Sequence, residues 1–123
     1  MILSKQVQYI VEWTINEGAL DTVKRMAAET VEAVYANEPK MMAFHWYVNE
    51  DESKFYLIEW FVDADAIVDH FENVGQALSE LFNYAQISRY EVFGDLTEKS
   101  RAAVEQLGAQ VFGHWNGFSR RSA

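Results

Sequence analysis

The segment between residues 55 and 81 constrains the fold of this chain more than any other. It opens with a strand that is apolar on both faces and carries a single carboxylate, Glu59, near its middle. Burying a carboxylate is costly unless it is paired or hydrogen-bonded, so the pattern indicates a polar group set inside an apolar cavity. Asp63 follows as a good N-cap for a helix, which carries His70 beside its apolar stripe. The segment therefore predicts a site as well as a core.

Hydrophobic periodicity predicts the remaining elements of the core. Apolar residues alternate in strands and recur every three or four residues in helices. The order βαββαβ is typical of the ferredoxin-like α+β arrangement, which places both long helices on one face of a four-stranded antiparallel sheet. The predicted elements are strands at 7–15, 41–48, 54–62 and 86–93, a helix at 19–37, and a helix from Asp63 to Leu81 that breaks or bends at Gly75.

The residues after the fourth strand predict an extension of this core. Asp95-Leu-Thr-Glu98 resembles a capping box, and the spacing beyond it predicts a third helix that continues through 102–107 to Gly108. A fifth, short strand is predicted at 109–115. We therefore expect one domain over residues 1–123, with a core at about 7–94 and a C-terminal extension at 95–123.

The third strand presents an apolar surface to both sides of the sheet. One face carries Glu59 among three apolar residues, and the other carries Trp60 among three. Two helices cover only one face, and an exposed apolar patch of this size is uncommon on a monomer. We therefore expect a homodimer that packs sheet to sheet. In the alternative, the C-terminal helix folds over that face, but it would cover only part of it.

Composition and charge narrow the class of function. The chain of 123 residues has a net charge of −9, which argues against nucleic acid or an anionic membrane as a partner. It contains no cysteine, so disulfides and thiolate chemistry are excluded, and its three histidines lack metal-ligand spacing. No phosphate-binding loop or dinucleotide fingerprint is present, and we expect no metal and no cofactor. Since no long apolar run is present, the expected location is the cytoplasm.

Four short motifs follow one another at a spacing found in a known family. Their order resembles that of the antibiotic biosynthesis monooxygenase (ABM) group of the dimeric α+β barrel superfamily, over roughly residues 7–94. The segment after Asp95 lies outside the common core of that family. The motifs are the turn Ile15-Asn-Glu-Gly18, the junction Glu38-Pro39 with Lys40 where a glycine is usual, Ile58-Glu59-Trp60 at the end of the third strand, and the helix start from Asp63 to Phe71.

The resemblance implies a small dimer with a cavity between sheet and helices in each subunit. Members of the group oxygenate quinol- or polyketide-like aromatics without metal or flavin, degrade haem, or process small signalling sugars. Haem-degrading members have a tryptophan and a histidine ten residues apart on the second helix, where this chain has His70 and Glu80, so we set that activity aside. We expect a cofactor-independent monooxygenase-like enzyme acting on a small aromatic or quinol-type substrate. The alternatives are a non-catalytic dimeric module that binds a small metabolite, and a proton-shuttling isomerase acting on a small carbonyl compound.

Glu59 and His70 are the candidate catalytic residues. In an apolar cavity the pKa of Glu59 would rise, which suits a general base. The structural alternative for Glu59 is pairing with Arg89 or Lys54 across the sheet, or a place in the dimer interface. His70 would act as an acid or base near neutral pH, and the alternative is a histidine satisfied by a backbone carbonyl.

Further residues are candidates for contact with the substrate. His45 and Tyr47 share a strand face on which they could bind a phenolic or quinone oxygen, and aromatic side chains could stack on a flat ligand. Packing in the core or in the dimer interface is the alternative. Because Glu59 and Trp60 point to opposite faces, a cavity between sheet and helices would combine Trp60 with His70 and leave Glu59 in the barrel interior. The candidate substrate-binding residues are Trp60, His45, Tyr47, Phe44, Phe71 and Arg89.

Overall fold

Strands and helices alternate along most of the chain. The computed structural model of the protein describes residues 5–120, so both ends of the predicted domain at 1–123 lie outside the described residues. No helix in this range is both long and apolar enough to cross a membrane. The elements are β1 (Val7–Ile15), α1 (Leu20–Asn37), β2 (Met41–Val48), β3 (Lys54–Phe61), α2 (Asp65–Leu81), β4 (Ala85–Phe93), α3 (Glu98–Glu105) and β5 (Gln110–Phe112).

Strand β1 lies at the centre of the sheet, whose strand order is β2-β3-β1-β4-β5. It pairs antiparallel with β3 and β4, β2 pairs antiparallel with β3, and β5 joins the edge of β4 in parallel. Apolar residues stand at every second position of β1, so one row of its side chains enters the core. The predicted α+β ferredoxin-like arrangement, with an additional C-terminal helix and a short strand, is confirmed.

Helix α2 follows the prediction at its start but not in its middle. The carboxylate of Asp63 accepts a hydrogen bond from the amide of Ala66 (3.0 Å), as predicted, although the helix itself begins at Asp65. The predicted break at Gly75 is wrong, because the helix continues to Leu81. No atom lies within 4 Å of the position that a Cβ of Gly75 would occupy. Gly75 therefore faces open space. The helical turn that contains it is stabilised by the packing of the apolar side of α2 on the core.

Helix α3 has a capping box, but other residues form it than predicted. Thr97 Oγ1 accepts a hydrogen bond from the amide of Ser100 (3.1 Å), and Ser100 Oγ accepts one from the amide of Thr97 (2.9 Å). The predicted box, which began at Asp95, is wrong because the N-cap lies at Thr97. Asp95 Oδ1 instead accepts a hydrogen bond from the amide of His114 (3.3 Å). This hydrogen bond connects the segment after β5 to the residues that follow β4.

Both long helices cover one face of the sheet, and α3 lies beside them. Helices α1 and α2 contact each other, and the buried core lies between them and the sheet. Helix α3 contacts α2 and contributes Val104, which is fully buried, to the same core. The opposite face, which we call the open face, carries half-buried Tyr56, Ile58 and Trp60 and exposed Tyr47. The alternative in which the C-terminal helix covers the open face is therefore wrong.

Candidate active site

Three ionisable side chains meet inside the core between sheet and helices. Glu38 follows the end of α1, Glu59 lies on β3, and His70 lies in the second turn of α2; all three are buried. His70 Nδ1 lies 2.8 and 3.0 Å from the two oxygens of Glu38, and His70 Nε2 lies 2.9 Å from Glu59 Oε1. One imidazole thus bridges two carboxylates, and we regard this group as the centre of the candidate active site.

Glu38 is held in place by a second polar residue on α2. Asn73 Nδ2 donates to Glu38 Oε2 (2.7 Å) and also approaches the carbonyl of Ala33 (3.2 Å). Asn73 lies three residues after His70, on the same side of the helix. Sequence reasoning used Glu38 only as part of a junction motif and did not find Asn73. The available signals were the acidic residue before the single proline and the polar residue one turn after His70.

Two tyrosines extend the polar group on the far side of Glu59. Tyr9 is hydrogen-bonded to Glu59, and its ring meets the ring of Tyr90 edge-on at 5.1 Å. Burial, together with the negative charge of Glu59, raises the pKa of Tyr9 and of Tyr90 well above the ordinary value for a phenol. Both phenols therefore stay protonated and act as neutral hydrogen-bonding groups beside Glu59.

The charges of Glu59 and His70 depend on each other. Burial lowers the pKa of His70, but the carboxylates of Glu59 and Glu38 outweigh this effect and raise it to about 9. Burial raises the pKa of Glu59, and the charge of Glu38 adds to this, while His70 and Tyr9 oppose it. At neutral pH, His70 is therefore an imidazolium, and Glu59 binds a proton more readily than an exposed glutamate does.

The contact between His70 and Glu59 leaves the carboxylate oxygen available. Nε2 and Oε1 are at ion-pair distance, 2.9 Å. Glu59 Oε1 has no hydrogen-bond partner among the described residues. A substrate proton presented to this oxygen would therefore displace no existing hydrogen bond.

A largely apolar cavity lies against this group. The centre of a water molecule can occupy about 50 Å³ of this cavity, and the total space between the atoms, including space open to solvent, is about 550 Å³. Tyr9, Glu59, His70 and Tyr90 contribute polar groups to its wall. A cavity of this kind, apolar with a few convergent polar groups, is the usual form of a small-molecule site. The apolar wall includes Val11 and Leu57 from the sheet, Met26 from α1, and Val74 and Leu78 from α2.

Two of the predicted substrate-binding residues lie at this cavity. Phe44 and Phe71 both line it, and the ring of each lies 5.8 Å from the imidazole of His70. Their contact with a substrate stays a prediction. Glu59 and His70 are brought together as a pair, and their catalytic roles likewise stay predictions.

The other four predicted substrate-binding residues do not join this site. Trp60, His45 and Tyr47 lie on the open face of the sheet, and exposed Arg89 pairs with Glu91 (2.9 Å). Any binding role for them stays a prediction for that face.

The expectation that Trp60 would accompany His70, and that Glu59 would not, is wrong. Glu59 stands opposite both Tyr9 and Phe44 in the sheet, and all three side chains face the helices. Residues directly opposite in an antiparallel pair share a face. Trp60, as the next residue along β3, therefore faces the other way.

The partners predicted in the structural alternatives for Glu59 and His70 differ from those observed. Glu59 pairs with neither Arg89 nor Lys54, because Lys54 Nζ binds Glu12 (3.1 Å) on the open face. His70 is paired through both ring nitrogens with carboxylates, so no backbone carbonyl satisfies it. Among residues 5–120, no group of three or more histidine, aspartate or glutamate side chains is arranged to hold a metal ion.

Comparison with known proteins places this fold and site in context. Among solved structures, MupZ from Pseudomonas fluorescens is 24% identical with a TM-score of 0.80, and the match covers 94% of this chain and 95% of that one. SnoaB, a cofactor-independent oxygenase from Streptomyces nogalater, is 18% identical with a TM-score of 0.63 over 76% of this chain and 95% of that one. Rv0793 from Mycobacterium tuberculosis is 15% identical with a TM-score of 0.64 over 76% and 97%. No curated protein matches the chain.

The structural likenesses show the fold, and the sequence shows the family. The family model for antibiotic biosynthesis monooxygenases matches residues 7–77. This range is more than half of the 123 residues and includes β1 to β3, with Glu38, Glu59 and His70. The chain therefore belongs to the antibiotic biosynthesis monooxygenase family.

Proposed function

We propose that the protein is a cofactor-independent monooxygenase-like enzyme that deprotonates a small aromatic or quinol-type substrate held in the cavity. The observation that carries the proposal is the contact between His70 Nε2 and Glu59 Oε1, 2.9 Å, at the wall of an apolar cavity. A carboxylate with a raised pKa at the wall of an apolar cavity is suited to accept a proton from carbon or oxygen. The family membership and the cofactor-independent oxygenase SnoaB among the structural relatives support the same reaction class.

Each residue of the site has a different role in the proposed proton transfer. The substrate proton passes to Glu59, and the imidazolium of His70 stabilises the anion that forms. Glu38 positions His70 through its contact with Nδ1, and Asn73 holds Glu38 by a hydrogen bond. Neither Glu38 nor Asn73 lines the cavity. The apolar walls exclude water, so the electrostatic interactions in the site are stronger than they would be in solvent.

The oxygen chemistry that follows belongs to the substrate. For an anthrone, the deprotonated ring transfers electrons to dioxygen, one oxygen atom becomes the new carbonyl oxygen, and the other leaves as water with the two hydrogens lost from carbon. The protein's contribution is the first deprotonation and the supply of a dry, shaped cavity.

Oxygen uptake with a panel of anthrones and quinols tests the proposal. We expect uptake with at least one compound by the wild-type protein, and a loss of about 100-fold or more in Glu59→Gln, as is typical when a general base is removed. Glu72→Gln, an exposed position on the same helix as His70, is the matched control and should retain the wild-type rate. Uptake that is equal in the wild type and in Glu59→Gln would refute the assignment of the base.

A proton-shuttling isomerase is the second candidate. It is favoured by the pairing of Glu59 with His70, because such a pair can take a proton from one carbon and return it to another without oxygen. Deuterium exchange from solvent into a small carbonyl compound, without oxygen consumption, would select this function. Tight binding with neither exchange nor uptake would instead select a non-catalytic binding module.

The assembly we propose is a homodimer that packs through the open face. Half-buried Ile58 and Trp60 and exposed Tyr47 lie on this face, and α3 leaves it uncovered. Light scattering should give about 28 kDa, twice the chain mass of 14.2 kDa. Ile58→Lys should shift the mass toward the monomer, because it places a charge in the interface. A soluble wild-type monomer would refute the dimer.

A further inference from the structure

The cavity wall contains a hydrogen-bond donor that has no acceptor. Trp13 is 3% exposed and lines the cavity, and its Nε1–H has no hydrogen-bond partner among the described residues. An indole nitrogen can only donate. A buried donor without an acceptor is destabilising, so this group is an exception that calls for a physical explanation.

Neighbouring polar groups of the cavity are paired. Trp46 Nε1 donates to Thr30 Oγ1 (3.3 Å), and Thr30 Oγ1 donates to the carbonyl of Ala27 (2.6 Å). Among the buried side-chain nitrogen and oxygen atoms of the described residues, Trp13 Nε1 and Glu59 Oε1 are the two without a hydrogen bond. Both residues line the same cavity. One atom is a donor, and the other is an acceptor when Glu59 is ionised.

The two atoms belong to residues that are well separated along the sheet wall of the cavity. In the sheet, Tyr9 stands opposite Glu59, whereas Trp13 stands opposite Phe55. Tyr9 and Trp13 are four residues apart on β1, so their Cα atoms are separated by roughly 13 Å. The wall between these ends includes Val11, which is apolar. Along the sheet wall of the cavity, Glu59 and Trp13 are therefore separated by the apolar side chains of Val11 and Leu57.

We propose that the cavity selects a ligand with two polar ends joined by a flat apolar body. One end carries an acceptor, such as a carbonyl or ether oxygen, that binds Trp13 Nε1–H. The other end carries the hydroxyl or acidic C–H that gives its proton to Glu59. The second end rests on the proposed function, whereas the first end adds a requirement that proton transfer does not impose. Trp13 is thus a specificity-determining residue with no part in the proton transfer.

A pair of naphthols that differ in one acceptor tests this selection. The probes are 6-acetyl-2-naphthol, which has a hydroxyl and a ketone at opposite ends, and 2-naphthol, which lacks the ketone. By calorimetry at neutral pH, the wild-type protein should bind the acetyl compound roughly tenfold more tightly, the effect of one hydrogen bond from a buried donor. In Trp13→Phe this ratio should fall to about one. Trp46→Phe, a cavity tryptophan whose Nε1–H is already paired, should keep the tenfold ratio.

The indole resonances give a second readout that requires no stable variant. In ¹H–¹⁵N spectra, the Nε1–H of Trp13 should move downfield with 6-acetyl-2-naphthol and not with 2-naphthol, with the other three tryptophans as references. A ratio near one in the wild type, or a Trp13 resonance that responds equally to both probes, overturns the inference. The latter result would indicate that the Nε1–H of Trp13 donates to the ring of Phe82. The centroids of the two rings are 5.4 Å apart.

The outcomes also separate this inference from the proposed function. If 2-naphthol binds and anthrone oxidation depends on Glu59 while the acetyl group adds nothing, the Trp13 assignment fails and the proposed function stands. If the tenfold ratio depends on Trp13 but neither oxygen uptake nor exchange occurs, the ligand assignment stands and the catalytic proposal fails. If neither naphthol binds, the Trp13 assignment is overturned, while oxygen uptake with the anthrone and quinol panel decides the proposed function.

Discussion

Replacing Glu38 with glutamine tests the charge state on which the site depends. The substitution removes one of the two negative charges beside His70 and keeps the length of the side chain. In the wild type, these charges overcome burial and raise the pKa of His70 from 6.5 to about 9. Since one pKa unit corresponds to about 1.36 kcal/mol, the shift links roughly 3 kcal/mol of folding free energy to the proton on His70.

The sign of this contribution follows from which state binds the proton more tightly. The pKa of His70 is higher in the folded state, so the stabilisation is complete below pH 6.5 and is lost as the pH rises through about 9. The raised pKa of Glu59 acts in the same direction at lower pH. In Glu38→Gln the pKa of His70 should fall. The loss of stability should then be smaller and should occur at lower pH.

Denaturant unfolding between pH 6 and 9.5 measures this difference, and NMR titration of His70 locates the pKa directly. Glu32→Gln, on the exposed side of α1, is the matched control and should follow the wild type. Glu38→Gln should also lose about 2 kcal/mol at pH 6, because the ion pair with the imidazolium of His70 is replaced by a weaker hydrogen bond to a neutral amide. An unchanged pH dependence in Glu38→Gln, or a wild-type His70 that titrates below 6.5, would refute the reasoning.

Three further substitutions test separate parts of the structure. Gly75→Ala should stabilise the protein by about 0.5–1 kcal/mol in thermal unfolding, because the position is helical and open; a destabilised variant would contradict the uninterrupted helix. Thr97→Ala should destabilise the protein by about 1 kcal/mol, because the N-cap of α3 is lost. An unchanged melting temperature would contradict a stabilising capping box. Tyr9→Phe should raise the pKa of Glu59, because Tyr9 lowers it; the acidic limb of the pH–rate profile should move to higher pH, and an unmoved limb would refute the Tyr9–Glu59 hydrogen bond.

The order of the elements could be predicted because its signals are local. The alternation in β1 and the helical spacing in α1 each lie within one short segment, and both elements were found with nearly their observed bounds. The break at Gly75 was predicted from intrinsic propensity alone. Propensity differences of about 1 kcal/mol are overridden when the rest of the helix packs on a core, as α2 does.

The face of Glu59 could not be predicted, because it depends on register between strands. In an antiparallel pair, the residue opposite determines the face, and a slip of one residue reverses every side chain. The alternation in β1 predicts that Tyr9, Val11 and Trp13 are buried. No local pattern, however, predicts that Tyr9 stands opposite Glu59. The choice between Glu59 and Trp60 as the neighbour of His70 was therefore a choice between two registers.

The partners of His70 could not be predicted for a related reason, and they determine the net charge of the site. Glu38 and Glu59 lie 21 residues apart in sequence and meet only through His70. Two carboxylates and one imidazolium leave one excess negative charge in an apolar region, where an unpaired charge is strongly disfavoured. The pKa of Glu59 is raised first of all by its burial, and the negative charge of Glu38 adds to this effect. Under the proposed function, a site in which burial favours one more proton on Glu59 is also a site in which Glu59 can accept a proton from a bound substrate.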